Sequence, residues 1–312
     1  MSTLSFGERV ARSAWRVTPQ RALSDLIGWG ARRTLPGALR RSVLRSFVDK
    51  YGIDAAEAEK PLDDYSGLQE FFTRRLRSGA RPVDAAPGAV VSPADGTVVE
   101  RGTVSDGKVI DAKGTAFTLA DLLSDADLAA SLDGGAFDIT YLSPRDYHRV
   151  HAPVAGRITG WHYVPGKLFP VIALSVLREP GLFARNERFV TVIDSEVGRC
   201  AVVMVAAVGV GHITATYDAD VATHASTFAH ADRAHRAYPE PRPIGRGDEL
   251  GVFNLGSTTI LVFERGRVAL DPLPPDGRVR MGQRIGGGTA QPLASGRPSS
   301  RPPTASTART DR

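Results

Sequence analysis

Three short segments of the chain hold side chains that could do chemistry. Ser92-Pro93-Ala94-Asp95-Gly96 presents a carboxylate at a tight turn, and Ser143-Pro144-Arg145-Asp146-Tyr147-His148-Arg149-Val150-His151-Ala152-Pro153 carries two imidazoles. Gly247-Asp248-Glu249-Leu250-Gly251-Val252-Phe253-Asn254-Leu255-Gly256-Ser257-Thr258 places a hydroxyl at the mouth of the apolar run Thr259-Ile260-Leu261-Val262-Phe263. Asp95, a histidine and Ser257 are the parts of an activated nucleophile. A serine hydroxyl needs a base to take its proton, and an imidazole base needs a carboxylate to fix its tautomer. Each segment also has a plain reading. Asp-Gly is a turn dipeptide. His148 and His151, three apart, suit a metal on a helix, but Pro144 and Pro153 argue against a long helix there. Gly256-Ser257 reads most simply as a bulge entering a buried strand. Ser257 also lacks the Gly-x-Ser-x-Gly elbow that lifts a hydrolase serine into solvent.

These residues need a scaffold, and the composition allows one. The chain has 312 residues, 42% hydrophobic and 23% charged, enough for one large or two modest globular domains. A single cysteine, Cys200, excludes a disulfide framework and a thiolate-rich zinc site. The net charge of +5 is uneven. Residues 1–50 hold ten Lys/Arg against three Asp/Glu, and residues 289–312 hold four Arg against one Asp. The basic excess therefore belongs to the two ends. The longest apolar run, Ala201–Val210, is about half of the ~20 residues a membrane span needs. Arginines recur through the first 45 residues and break any secretory apolar core. The expected location is the cytoplasm or a membrane surface facing it.

The elements follow from periodicity. Residues 1–52 read as basic helices. Leu39, Val43, Phe47 and Tyr51 recur every four residues, with Arg40, Arg41 and Arg45 on another side. Such a helix suits a lipid interface, or packs on its own domain with arginines outward. Residues 53–88 read as a connecting helical segment with Phe71, Phe72 and Leu76 inward, Arg74, Arg75 and Arg77 outward, and Arg81-Pro82 as its stop. From Ala89 the pattern turns to short strands punctuated by glycine: 89–91, 97–101, 108–111, 137–142, 157–164, 188–194, 200–208 and 258–264. Thr118, with Asp121 three residues on, marks a short helix at 118–123. The fold class expected is α+β: a β-rich catalytic domain over 53–285, an N-terminal membrane-surface helical segment over 1–52, and a disordered tail over 286–312.

Taken in order, Ser92–Gly96, Tyr147-His148-Arg149-Val150-His151 and Leu255-Gly256-Ser257-Thr258 resemble the motifs of the phosphatidylserine decarboxylases, of the bacterial membrane-associated, pyruvoyl-dependent type. Asn186-Glu187-Arg188 and Met281-Gly282-Gln283-Arg284-Ile285-Gly286 are similar to that family as well, and the resemblance spans roughly residues 20–288. It implies a chain that cuts itself. Ser257 Oγ would attack the carbonyl of Gly256 to give an ester. β-Elimination would then free a large chain, 1–256, and hydrolysis with loss of ammonia would leave a pyruvoyl group on a small chain, 257–312. The two would stay together as a heterodimer. His151 is the implied base and Asp95 the group that orients its ring. His148 is the candidate for the decarboxylation stage, as proton donor or carboxylate-positioning group. The implied reaction converts phosphatidylserine to phosphatidylethanolamine and CO2 at the cytoplasmic face of the cell membrane, the protein being peripheral on an anionic surface.

The pyruvoyl group derived from Ser257 would be the cofactor, with no metal and no pyridoxal phosphate. Of the five lysines, Lys50, Lys60, Lys108, Lys113 and Lys167, none sits in a segment readable as a pyridoxal site. Two other readings stand beside this one. A serine hydrolase could use Asp95, His151 and Ser257 in an uncut chain. A non-enzymatic β-rich module could use its basic ends on nucleic acid, although those ends lack the aromatic platforms of single-strand binders, and no nucleic-acid partner is expected.

Overall fold

The structure is a computed structural model describing residues 33–34, 36–110, 116–169, 181–207, 212–223, 233–254 and 257–289, with the backbone only at Ile110 and Ser257. The expectations for residues 1–32 and for the tail beyond 289 lie outside these.

In chain order the helices are α1 Gly37–Tyr51, α2 Leu68–Phe72, α3 Leu119–Leu123, α4 Ala126–Leu132 and α5 Leu182–Arg185. The strands are β1 Ala89–Val91, β2 Gly96–Thr103, β3 Lys108–Ile110, β4 Ala116–Thr118, β5 Ala136–Leu142, β6 Arg149–His151, β7 Gly156–Val164, β8 Arg188–Ser195, β9 Gly198–Val205 and β10 Ile213–Ala215. They continue with β11 Ala234–Ile244, β12 Glu249–Phe253, β13 Ser257–Phe263, β14 Val268–Leu270, β15 Arg278–Val279 and β16 Arg284–Gly288. This is an α+β fold. Its centre is an antiparallel sheet in the order β11-β7-β8-β9-β13-β5-β2-β15, beside a sheet β10-β12-β6, a sheet β1-β16-β14 and the hairpin β3-β4.

The central sheet holds because its middle strands are apolar on both faces. Ile260, Leu261, Val262 and Phe263 of β13 are all buried, as are Val202, Val203, Met204 and Val205 of β9. Burying each such side chain contributes roughly 1.5–3 kcal/mol. β13 is clamped on both edges: its residues 257–262 pair with β5, and 258–263 pair with β9. At Asp106-Gly107 both residues have positive φ and Ser105 and Lys108 exchange backbone hydrogen bonds, the two-residue hairpin that Asp-Gly favours. Thr118 caps α3 by accepting from the Asp121 amide, as its spacing predicts.

Four expectations change. Residues 53–88 are not a continuous helix. Pro61 and Gly67 interrupt them, leaving single turns at 55–57 and 62–64 and the short α2. Arg74 is not solvated: it is buried, with its guanidinium over the Phe71 ring and donating to the Phe71 and Arg145 carbonyls. The expected tail begins too early. Gly286–Gly288 lie in β16, between β1 and β14, where a Cβ on Gly286 would stand 2.5 Å from the Ala269 carbonyl oxygen. Finally, β11 was not anticipated. Its Pro239, Pro241 and Pro243 argue against a strand, and the outermost place in the sheet tolerates them because one edge needs no ladder.

Helix α1 packs inward. Leu44 is buried, and Phe47, Val48 and Tyr51 join Ile53, Ala58, Tyr65 and Phe71 in a small cluster separate from the main core. Leu39 of the same stripe is about half exposed. Among the described residues no helix is long and apolar enough to cross a membrane.

Candidate active site

Paired strands frame the entry to β13. β6 pairs with β12, which ends at Phe253, shortly before β13 in the chain. β13 pairs with β5, with Ser257 opposite Leu142, and β5 runs through residues 143–148 back into β6. Both histidines lie on this arm, His148 just before β6 and His151 at its end. Gly256 and the Ser257 side chain are outside the described residues, so the geometry around them is that of their neighbours.

The arm is held by buried polar contacts. Asp146 accepts from the Ser143 amide and hydroxyl, both at 2.7 Å, which folds 143–146 into a turn. Arg278 of β15 pairs with its other oxygen at 2.6 Å. The His148 carbonyl accepts from the Phe253 amide, tying the arm to β12. His148 itself is wholly buried. Its Nδ1 donates to the Asp146 carbonyl at 2.8 Å, and its ring lies 4.0 Å from that of Phe72, centroid to centroid. A proton on Nδ1 leaves a lone pair on Nε2. That Nε2 is buried with no hydrogen-bond partner among the described residues. Burial holds the imidazolium down to about pKa 3, so the ring is neutral near pH 7.

His151 repeats the pattern. Its Nδ1 donates to the Gly247 carbonyl at 2.8 Å, and Nε2 is again buried and unpartnered among the described residues. Burial lowers its pKa, opposed by the Gly247 hydrogen bond and by the charges of Glu249 and Asp95. A neutral imidazole with a free Nε2 lone pair is the form a general base requires.

Asp95 is close to this ring in the fold but does not orient it. The 92–95 loop is joined to His151 by the bond from its amide to the Pro93 carbonyl. The carboxylate, however, takes a fork from Arg81: Nε to Oδ1 at 2.9 Å and Nη2 to Oδ2 at 2.6 Å. Oδ1 also accepts from the Met281 amide at 2.8 Å. The orienting hydrogen bond expected of Asp95 is thus made by a backbone carbonyl, and Asp95 reaches His151 through its charge. Two glycines permit the arrangement. A Cβ on Gly96 would stand 2.5 Å from the Tyr141 carbonyl oxygen. Gly282, at φ +82°, turns the chain in the left-handed region just after the Met281 amide.

Against known proteins, the phosphatidylserine decarboxylase family model matches residues 68–287. A phosphatidylserine decarboxylase proenzyme of Anaeromyxobacter sp. (strain K) is 46% identical over 281 residues, spanning 90% of this chain and 99% of that protein. Those of Myxococcus xanthus and Saccharophagus degradans are 44% and 39% identical, spanning 87% and 86% of this chain and 95% and 94% of theirs. The chain belongs to the phosphatidylserine decarboxylase family. That membership makes it a decarboxylase, a carboxy-lyase.

Several members of the site were given no role in it from the sequence, although Gly247 and Glu249 stand in the third marked segment. Arg81 read only as a helix stop beside Pro82, yet it is the partner of Asp95 and also of Glu57, at 2.7 Å. Phe72 read as generic core, yet it covers His148. Gly247 acts through its carbonyl, which no side-chain pattern reports. Glu249, opposite His151 in the β6–β12 ladder, is held by Arg149 and Thr216. Among the described residues no group of three or more His, Cys, Asp or Glu side chains gathers as metal ligands would.

Proposed function

We propose that this chain converts phosphatidylserine to phosphatidylethanolamine and CO2, using a pyruvoyl group that it makes from its own Ser257. Membership of a family whose relatives are called proenzymes supports a processed chain. The observation that carries the reading is that two buried Nε2 atoms, on His148 and His151, have no partner among the described residues and lie on the segment between β5, which pairs with β13, and β12, which precedes it. His151 Nε2 takes the Ser257 proton, and Ser257 Oγ attacks the Gly256 carbonyl. The amide becomes an ester, with the Ser257 nitrogen freed. Loss of the Cα proton expels the Gly256 carboxylate and leaves a dehydroalanine. Water then replaces its nitrogen, which leaves as ammonia.

The residues present fit such a group. β13 begins at Ser257 and is bonded on both edges from Thr258 onward, so the new N-terminus would be fixed. Such a group would supply a carbonyl to hold the substrate amine and a sink for the electron pair that CO2 leaves behind. We assign His148 to this second stage. As held here its Nε2 carries a lone pair, so it supplies a proton only after taking one. The two products would remain a heterodimer of 1–256 and 257–312, since the small chain contributes β13 and β15 to the large chain's central sheet and β14 and β16 to the sheet containing β1.

The basic residues of 1–50 suit an anionic lipid surface, at about 1 kcal/mol for each Lys or Arg near it. Peripheral attachment at the cytoplasmic face of the cell membrane is the location this charge supports. Mass spectrometry of the purified protein tests the reading. Two chains are expected, the smaller blocked and lighter by one ammonia than a chain beginning with serine. An intact, fully active chain would overturn it, and an intact chain that reacts with serine-directed acylating probes would favour a hydrolase.

A further inference from the structure

Asp95 and Arg81 form an ion pair whose design exceeds what a turn needs. Their side chains are 6% and 7% exposed, and the guanidinium gives three contacts to the two carboxylate oxygens. The rest of the guanidinium is also spoken for. Nη1 donates to the Ala80 carbonyl at 2.8 Å, and Nη2 to Glu57 at 2.7 Å. Glu57 in turn lies 3.5 Å from Arg280, next to the Met281 amide that holds Asp95. Carboxylate, guanidinium and carboxylate thus stand in a row from Asp95 to Glu57.

The charged groups facing His151 are few. From its own strand comes Arg149, and from β12 comes Glu249, which Arg149 and Arg75 hold at 2.9 and 3.4 Å. From the 92–95 loop comes Asp95. Tyr147, with its ring 5.6 Å away, is kept neutral by burial, which pushes its phenol up to about 12. Glu249 is therefore compensated by two arginines, and Asp95 by Arg81. With both its oxygens taken, Asp95 meets the ring only as a charge, and that charge is tempered by Arg81.

We propose that Arg81 is a positioning residue for self-cleavage: its fork fixes Asp95 beside His151 and attenuates the carboxylate's field, so that Arg81, balanced by Glu57, sets the pH at which His151 can act as base. The inference rests on the reading that His151 is the base for cleavage at Ser257.

The sign is determined by charge. Removing the Arg81 cation leaves Asp95 less compensated, which favours imidazolium. The acid limb of the cleavage rate then moves to higher pH. Removing the Glu57 anion does the reverse. Neighbouring charges in partly buried sites move such limbs by about half a unit or more, or about threefold in rate on the acid side.

The experiment uses the full chain made by cell-free synthesis, transferred to buffers from pH 5 to 9, with fragment appearance followed on denaturing gels. Arg81→Gln should move the acid limb up, Arg81→Lys should keep its position at a lower plateau, and Glu57→Gln should move it down. An unmoved or downward limb in Arg81→Gln overturns the inference and leaves Arg81 a structural clamp. If Arg81→Gln makes no folded protein, Glu57→Gln decides alone: a downward shift supports the proposal, and no shift or an upward one overturns it. A wild-type chain that does not cut itself at any pH would instead refute the underlying reading.

Discussion

Two regions of the molecule bury their apolar residues in different ways. β13 lies at the middle of the central sheet, with a partner strand on each edge and four consecutive core residues from Ile260 to Phe263. The N-terminal layer, residues 37–72, has its own small cluster and meets the rest through few contacts. Phe72 lies on His148, Glu57 joins Arg81, and Gln69 donates to Asn254. One region would survive the proposed break in the chain. The other is built onto the site and touches it at His148, through Phe72, and at Arg81, through Glu57. A nick before Ser257 would leave the β13 ladders intact from Thr258 onward. A change in the N-terminal layer alters the surroundings of His148 and Asp95 without touching the sheet.

The largest expected effect separates chemistry from scaffold. Ser257→Ala should give a single chain with no decarboxylase activity and a fold like wild type, since β13 keeps all its backbone bonds. Gel and activity assays read this directly. Two fragments from this variant would move the cut elsewhere.

The two histidines give the next largest contrast. His151→Ala should slow self-cleavage by about 10²-fold or more, the scale of a lost general base. His148→Ala should still cut, yet lose most turnover of phosphatidylserine. If His148→Ala blocks cutting while His151→Ala does not, the two roles are exchanged.

Much of this was legible in the sequence, for identifiable reasons. The strands of the central sheet are β-branched and apolar runs bounded by glycine, and local periodicity reports them. The candidate site residues were legible as candidates because each motif is contiguous: Asp95, His148, His151 and Ser257 stand in short marked segments. What joins them was not. The Arg81–Asp95 fork spans 14 positions, and the tautomer of His151 is set by a backbone carbonyl 96 positions away. A carbonyl has no letter in a sequence. The helical reading of 53–88 failed for the opposite reason. Its aromatic and arginine spacing suits a helix locally, but Pro61 and Gly67 break it, and tertiary packing draws Arg74 inward.

A matched pair of truncations measures the two regions on one scale. Ile260→Ala should cost about 2–5 kcal/mol, as buried aliphatic truncations do. In the cut protein it should also lower the denaturant concentration at which the small chain is released. Leu44→Ala removes a side chain of similar size from the N-terminal cluster. It should loosen that layer, raising proteolysis within 37–72, while leaving retention of the small chain unchanged. Equal release of the small chain in both would mean that the N-terminal layer and the sheet unfold as one unit.

The smallest effect lies at the boundary between the regions, where Phe72 covers His148. The ordinary histidine value is 6.5, and burial lowers that of His148 to about 3. The unfolded chain therefore takes up a proton as pH falls through 6.5, and the folded chain refuses it until near 3. Protonation below 6.5 favours the unfolded state, so the stability His148 contributes is complete above about 6.5 and is lost progressively as pH falls toward 3. Uncut Ser257→Ala protein should melt at a lower temperature at pH 5 than at pH 7. Adding His148→Gln should make that drop smaller. It should not abolish it, because burial lowers His151 and His162 in the same direction. Calorimetry of the single and double variants at both pH values isolates the one ring. An equal drop in both would show that His148 meets water in the folded chain. Phe72 and the N-terminal layer would then not seal the site, and the contrast between the two regions would have to be drawn elsewhere.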